Sequence, residues 1–222
     1  MIEDITPNLI AKVNKSFRKY LNSDKTTAAL IDRLKKGQTS YKDAYKYALS
    51  VGNARAKAFK SEISAAILPD GRMYYNIGER LLNDTLGADY KLITEYSTEV
   101  QTQINRRNRI SLKAQKPKFD REKIEGFVNR LDSEPDFDKV AWILDEPVRL
   151  HALNIVDDTV KKNADFQGKT GIKATIIRIP AAGCCKWCDE QAGEYTYPGV
   201  PDEVFMRHDN CRCTIEYNGK TI

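Results

Sequence analysis

The chain has 222 residues, 41% hydrophobic and 30% charged, enough length and apolar content to bury a sizeable core in one domain or two. Its formal net charge of +5 permits contact with nucleic acid or an acidic surface without requiring either. No apolar run approaches the about 18–20 residues of a membrane span, and "MIEDITPNLIAKVNK" carries no signal-like hydrophobic segment. The expectation is a chain that meets no membrane and keeps its thiols reduced in the cytosol; an odd count of five cysteines points the same way.

Thr6 before Pro7 predicts a helix start, and Leu9, Val13, Phe17, Tyr20 and Leu21 follow at helical spacing. A second short helix, "TTAALIDRLKK", ends at Gly37. Ser40 caps a third, in which Tyr41, Tyr45, Ala48 and Val51 share a face, and Pro69-Asp70-Gly71 marks a turn beyond it. "RMYYNIGERLLNDTLG" predicts one further helix and "DYKLITEYSTEVQTQINRRNRI" another, with Ile93, Tyr96, Val100 and Ile104 in phase. "DREKIEGFVNRLDS" and "DEPVRLHALNIVDDTVKKNADFQG" resume the helical pattern on either side of Pro135. At Gly171 the texture changes: "IKATIIRIP" and "CRCTIEY" are rich in β-branched residues and read as strands. The fold class expected is α+β, a mainly helical body over residues 1–165 followed by a small β module over residues 166–222.

All five cysteines and one of the two histidines fall between Cys184 and Cys213. Cys185 and Cys188 form a C-x2-C pair; His208, Cys211 and Cys213 form a second group beyond a stretch rich in turn formers (Gly193, Pro198, Gly199, Pro201). Two short clusters joined by such a linker suit a tetrahedral zinc ion bound by thiolate and imidazole. The favoured ligands are Cys185, Cys188, His208 and Cys211, with Cys213 as an alternative to His208. With all four places filled the zinc is structural, and its binding energy helps fold a module too small to hold itself by apolar burial. Cys184 has no role in this scheme. A redox C-x2-C belongs at a helix start in a βαβ context, and the three nearby donors argue against it. Burial of the thiols as small hydrophobes is the plain alternative. A cysteine nucleophile needs a histidine, and the one outside the cluster, His151, reads as an ordinary helix residue.

"CKWCDEQAGE" followed by "RHDNCRC" resembles the C-terminal signature of the phage minor head proteins, the Mu protein F-like head morphogenesis family. Cys185, Cys188, Gly193, His208, Asn210, Cys211, Arg212 and Cys213 occupy matching positions; Asp209 stands where the family usually has proline. The lead-in from "HALNIVDDTVKKNADFQG" to "IKATIIRI" is similar too, so the likeness covers about the last 75 residues with their structural context. "VQTQINRRNRISLKAQKPKFDREKIEGFVNRL" is similar, in a general way, to the middle region of minor capsid proteins from phages of Gram-positive hosts. The resemblance implies a structural protein of a tailed-phage head. It would be assembled in the host cytoplasm, located in the virion, partnered by the portal or major capsid protein, and in contact with packaged DNA.

Arg106, Arg107, Arg109 and Lys113 open a run without acids before Asp120 and are candidate DNA contacts, although such runs are commonly solvated surface. The alternative class is enzymatic, a zinc-stapled HNH-like nuclease or a toxin. His208 cannot both ligate zinc and serve as general base, and the nine residues after Cys213 leave no room for the helix that completes an HNH site. With no convergent acid–base constellation, the expectation is a non-enzymatic protein.

Overall fold

A computed structural model describes residues 4–220. The helices are α1 (Thr6–Ser23), α2 (Lys25–Lys35), α3 (Tyr41–Glu62), α4 (Tyr75–Arg107), α5 (Arg121–Asp132) and α6 (Glu146–Gly168). The chain then forms β1 (Lys173–Ile179), the five-residue α7 (Lys186–Glu190), β2 (Gly193–Thr196) and β3 (Thr214–Lys220). The sheet is antiparallel in the order β2-β1-β3, so the fold is α+β as the patterns indicated.

Side-chain caps set the starts of α2, α3 and α5. Asp24 accepts from the Thr26 amide (2.9 Å), Asp120 from the Lys123 amide (2.9 Å), and Ser40 with Asp43 forms a reciprocal capping box. Pro7 lies in the first turn of α1, but Thr6 is already helical and Ile5 is the cap. The stretch read as two helices around Gly87 is a single one, α4. A lone interior glycine costs only about 1 kcal/mol relative to alanine. Leu81, Leu82 and Leu86 before it, and Ile93, Tyr96 and Val100 after it, are all buried and hold the helix through that point.

The core forms where α3 packs on α1, α4 and α6. Gly52 permits a close approach of α3 to α6: a Cβ there would lie 3.0 Å from the Arg149 Cα and 3.1 Å from the Ala152 Cβ. The sheet packs onto the same core, with β1 and β3 against α6 and β3 also against α3. A buried polar chain ties the layers together. Tyr41 donates to Gln101 (2.6 Å), Gln101 and Gln167 both donate to Asn105 (2.8 and 2.9 Å), and Tyr217 of β3 donates to Gln167 (2.6 Å). Each member is satisfied internally, which fixes the register of α3, α4, α6 and β3 against one another.

Candidate metal centre

The antiparallel register places both cysteine groups at one end of the sheet. Arg178 on β1 faces Ile215 on β3, so the chain leaving Ile179 and the chain entering Thr214 run side by side. Beyond β1, Gly183 (φ +72°) turns the backbone so that Cys184 and Cys185 lead into α7, with Cys188 within that helix. On the other limb the Cys211 amide donates to the His208 carbonyl (3.1 Å) across a tight turn whose Asn210 takes a left-handed conformation (φ +60°). The segment between, read as loop, contains α7 and β2; elements of five and four residues are too short to show periodicity.

The five expected donors fall into two overlapping groups. Cys185, Cys188 and His208 form one group with donor atoms within 4.8 Å of one another, and Cys188, Cys211 and Cys213 form a second, joined to the first through Cys188. The His208 Nε2 lies 3.2 Å from the Cys185 Sγ and 2.9 Å from the Cys188 Sγ, and the Cys188 and Cys211 sulfurs are 3.7 Å apart. The sulfur–sulfur gap matches the ~3.8 Å edge of a tetrahedron with about 2.3 Å metal–sulfur bonds; the nitrogen–sulfur gaps are tighter than the ~3.5 Å such an ion would set. The His208 Nδ1 donates to the Asp209 carbonyl (2.7 Å), which leaves the Nε2 lone pair facing the thiols, the tautomer a metal requires. The donors can therefore hold a metal ion. Cys184 belongs to neither group, although it is half-buried beside them.

The environment grades from wet to dry. Cys185 is exposed and His208 half-buried, whereas Cys188, Cys211 and Cys213 are buried. Burial pushes the Cys188 thiol up to about 12, reinforced by hydrogen bonds with the Cys213 and Cys211 thiols. For Cys213 burial acts upward as well, but hydrogen bonds from the Ala181 backbone and the neighbouring thiols outweigh it and bring that thiol below its usual range. Crowded thiols that resist joint ionisation are what a bound dication stabilises, by replacing protons with one shared charge.

Two arginines unassigned by the sequence reading lock the limb carrying His208 onto α6. Arg212 makes a two-pronged pair with Glu146 (2.8 and 2.9 Å), and Arg207 grips Asp157 through Nε and Nη2 (2.8 Å for the latter) while donating to the Cys213 carbonyl (2.9 Å). Burial would raise the Glu146 carboxyl, yet the Arg212 hydrogen bonds bring it below the normal carboxylate range. No local signal in "MRHDNCRC" names these partners, because Asp157 and Glu146 lie 50 and 66 residues earlier in the chain.

The candidate DNA contacts separate. Arg106, Arg109 and Lys113 are exposed and line one open groove at the end of α4 with Asn105 and Ser111. Arg107 is also exposed but donates to the Gly37 and Thr39 carbonyls (3.2 and 2.8 Å), clamping the α2–α3 connection. No helix among the described residues is long and apolar enough to cross a membrane.

No family model, no curated protein and no solved structure matches this chain.

Proposed function

We propose that this chain is a non-enzymatic structural protein of a tailed-phage head, of the Mu protein F-like kind, whose C-terminal end is stapled by zinc. The observation that carries the reading is the cysteine–histidine constellation itself. The motif that resembles the family's signature forms two donor groups joined through Cys188 at the end of an antiparallel sheet, behind a helix-to-strand lead-in. Thiolate and imidazole donors favour zinc over the hard oxygen-seeking cations. Cys185, Cys188, His208 and Cys211 would hold it, with Cys213 adjacent; the ion would supply folding energy rather than reactivity. Its partners would be the portal or major capsid protein, with packaged DNA meeting the groove of Arg106, Arg109 and Lys113.

A nuclease of the HNH kind needs its histidine free to take a proton. Here the His208 ring spends Nδ1 on the Asp209 carbonyl and turns Nε2 to two sulfurs, which favours the structural reading. The test is assembly. Co-expression with portal and major capsid proteins of a tailed phage should incorporate the protein into proheads, and purified protein should cleave no DNA with any divalent ion. Exclusion from particles, or metal-dependent cleavage abolished by His208→Ala, would overturn the proposal.

A further inference from the structure

Side chains alternate across a strand, so Ala174, Ile176 and Arg178 share the inner face of β1, and all three are buried. An arginine thus occupies a position where the pattern calls for an apolar residue, and it is 3% exposed. A guanidinium keeps its charge and is costly to bury without an anion. The other deeply buried arginines have one: Arg55 pairs with Asp89 (2.7 Å), and Arg207 with Asp157. Among the described residues Arg178 has no carboxylate within ion-pair distance, and its Nε has no partner. Nη1 donates to the carbonyls of Val204 and Met206 (3.0 Å for the latter), which are neutral acceptors. Nη2 faces the Cys188 and Cys211 sulfurs at 3.8 and 4.0 Å.

We propose that Arg178 is the built-in counter-ion of the metal centre and sets its donors at three thiolates and one imidazole. The inference rests on the reading that the cluster binds zinc. A dication with three thiolates and a neutral imidazole carries one net negative charge, which a single guanidinium cancels. Four thiolates would leave a second negative charge uncancelled in a buried pocket, because Arg207 is already neutralised by Asp157. Two thiolates and two neutral donors would leave Arg178 itself without an anion. Cys188 is shared by both donor groups, and Cys211 faces both guanidiniums, with Arg207 Nη1 at 3.8 Å. The set proposed is Cys185, Cys188, His208 and Cys211, of which the Cys188 and Cys211 sulfurs face Arg178, and Cys213 lies beside it. Arg178 is a positioning residue that acts through the ligands' charge.

The experiment uses the full chain loaded with zinc, with X-ray absorption to count sulfur and nitrogen ligands and chelator competition to measure affinity. Wild type should hold one zinc with three sulfurs and one nitrogen, and Cys213→Ser should leave that count intact. Arg178→Gln should weaken zinc binding by roughly 10- to 100-fold, the usual cost of losing a partner of the ligands, and Arg178→Lys should recover part of the loss through its charge. Four sulfurs in wild type, or Arg178→Lys no better than Arg178→Gln, would overturn the proposal. So would Arg178→Gln binding zinc within about threefold of wild type. Wild type without zinc would remove the metal reading itself, whereas stoichiometric zinc with an indifferent Arg178→Gln would remove the counter-ion alone. If Arg178→Gln does not fold, the wild-type ligand count decides, with three sulfurs and one nitrogen supporting the proposal and four sulfurs overturning it.

Discussion

Cys188 is the residue on which the candidate site turns, because it is buried and belongs to both donor groups. Cys188→Ser should abolish stoichiometric zinc, measured by elemental mass spectrometry, while Cys184→Ser should leave zinc content unchanged. His151 is the other histidine, and its position was legible only as a helix residue. In the structure it is 3% exposed with neither ring nitrogen hydrogen-bonded, in a small cavity shared with Lys123, Asn154 and Asp158. Burial, with the Lys123 charge adding to it, lowers its titration to about 3. The unfolded chain binds the His151 proton near pH 6.5 and the folded chain does not, so this contribution to stability is complete above pH 6.5 and is lost as pH falls toward 3. Between pH 6.5 and 4.5 it removes about 2–3 kcal/mol, and His151→Leu should flatten that part of the urea-denaturation profile. An equally steep profile in the variant would show that other groups carry the acid sensitivity. Asp158 acts in the opposite sense. Burial first, and the Asp157 charge second, raise it to about 6, so its ionisation weakens the fold as pH rises from about 4 to 6.

Between elements, one buried polar joint is Arg55 on α3 with Asp89 on α4. Both are buried, and the guanidinium also reaches Asn14 of α1 (3.0 Å) and lies 3.8 Å above the Phe17 ring. Burial raises the Asp89 carboxyl more than Arg55 lowers it, so the pair organises the helices more than it adds net stability. Removing one partner is different: Asp89→Leu should cost about 3–5 kcal/mol in chemical denaturation by stranding Arg55 without an anion. A loss under about 1 kcal/mol would mean that α1 and α4 open to hydrate it. The end of α4 gives a second prediction. Arg106→Glu combined with Arg109→Glu should weaken the proposed DNA binding and flatten its salt dependence by roughly two phosphate contacts. Arg107→Glu should instead lower the melting temperature, since Arg107 holds the Gly37 and Thr39 carbonyls. Equal effects of all three on DNA would refute this division of labour.

At the scale of the whole molecule, the sheet and the helices share one buried core. Cys188, Cys211, Cys213, Ile176, Ile215 and Tyr217 are continuous with the apolar faces of α3 and α6. Stripping the proposed zinc should therefore act on two levels. Amides in the 181–213 segment should lose hydrogen-exchange protection first, and the melting temperature of the whole chain should fall with them. If a chelator leaves both unchanged, the donor cluster is not a metal staple.

Much of this protein was legible in its sequence because the signals are local. The cap at Ser40, helical periodicity through α1, α3 and α6, β-branched runs at β1 and β3, and the paired spacing of cysteines and histidine all act within a few residues. What the tertiary structure alone decided are the long-range pairings. It carried α4 through Gly87, since burial on both sides outweighs one glycine's cost. It turned Asn105, Gln101 and Gln167, ordinary polar residues in the sequence, into a buried network, and it drew Arg107 away from the basic groove. It also set Arg178 over the sulfurs, where a charge at an apolar strand position has meaning only once the thiols that face it are in place. Backbone preference and side-chain period are written residue by residue; which buried charge meets which partner depends on elements that close from far apart in the chain.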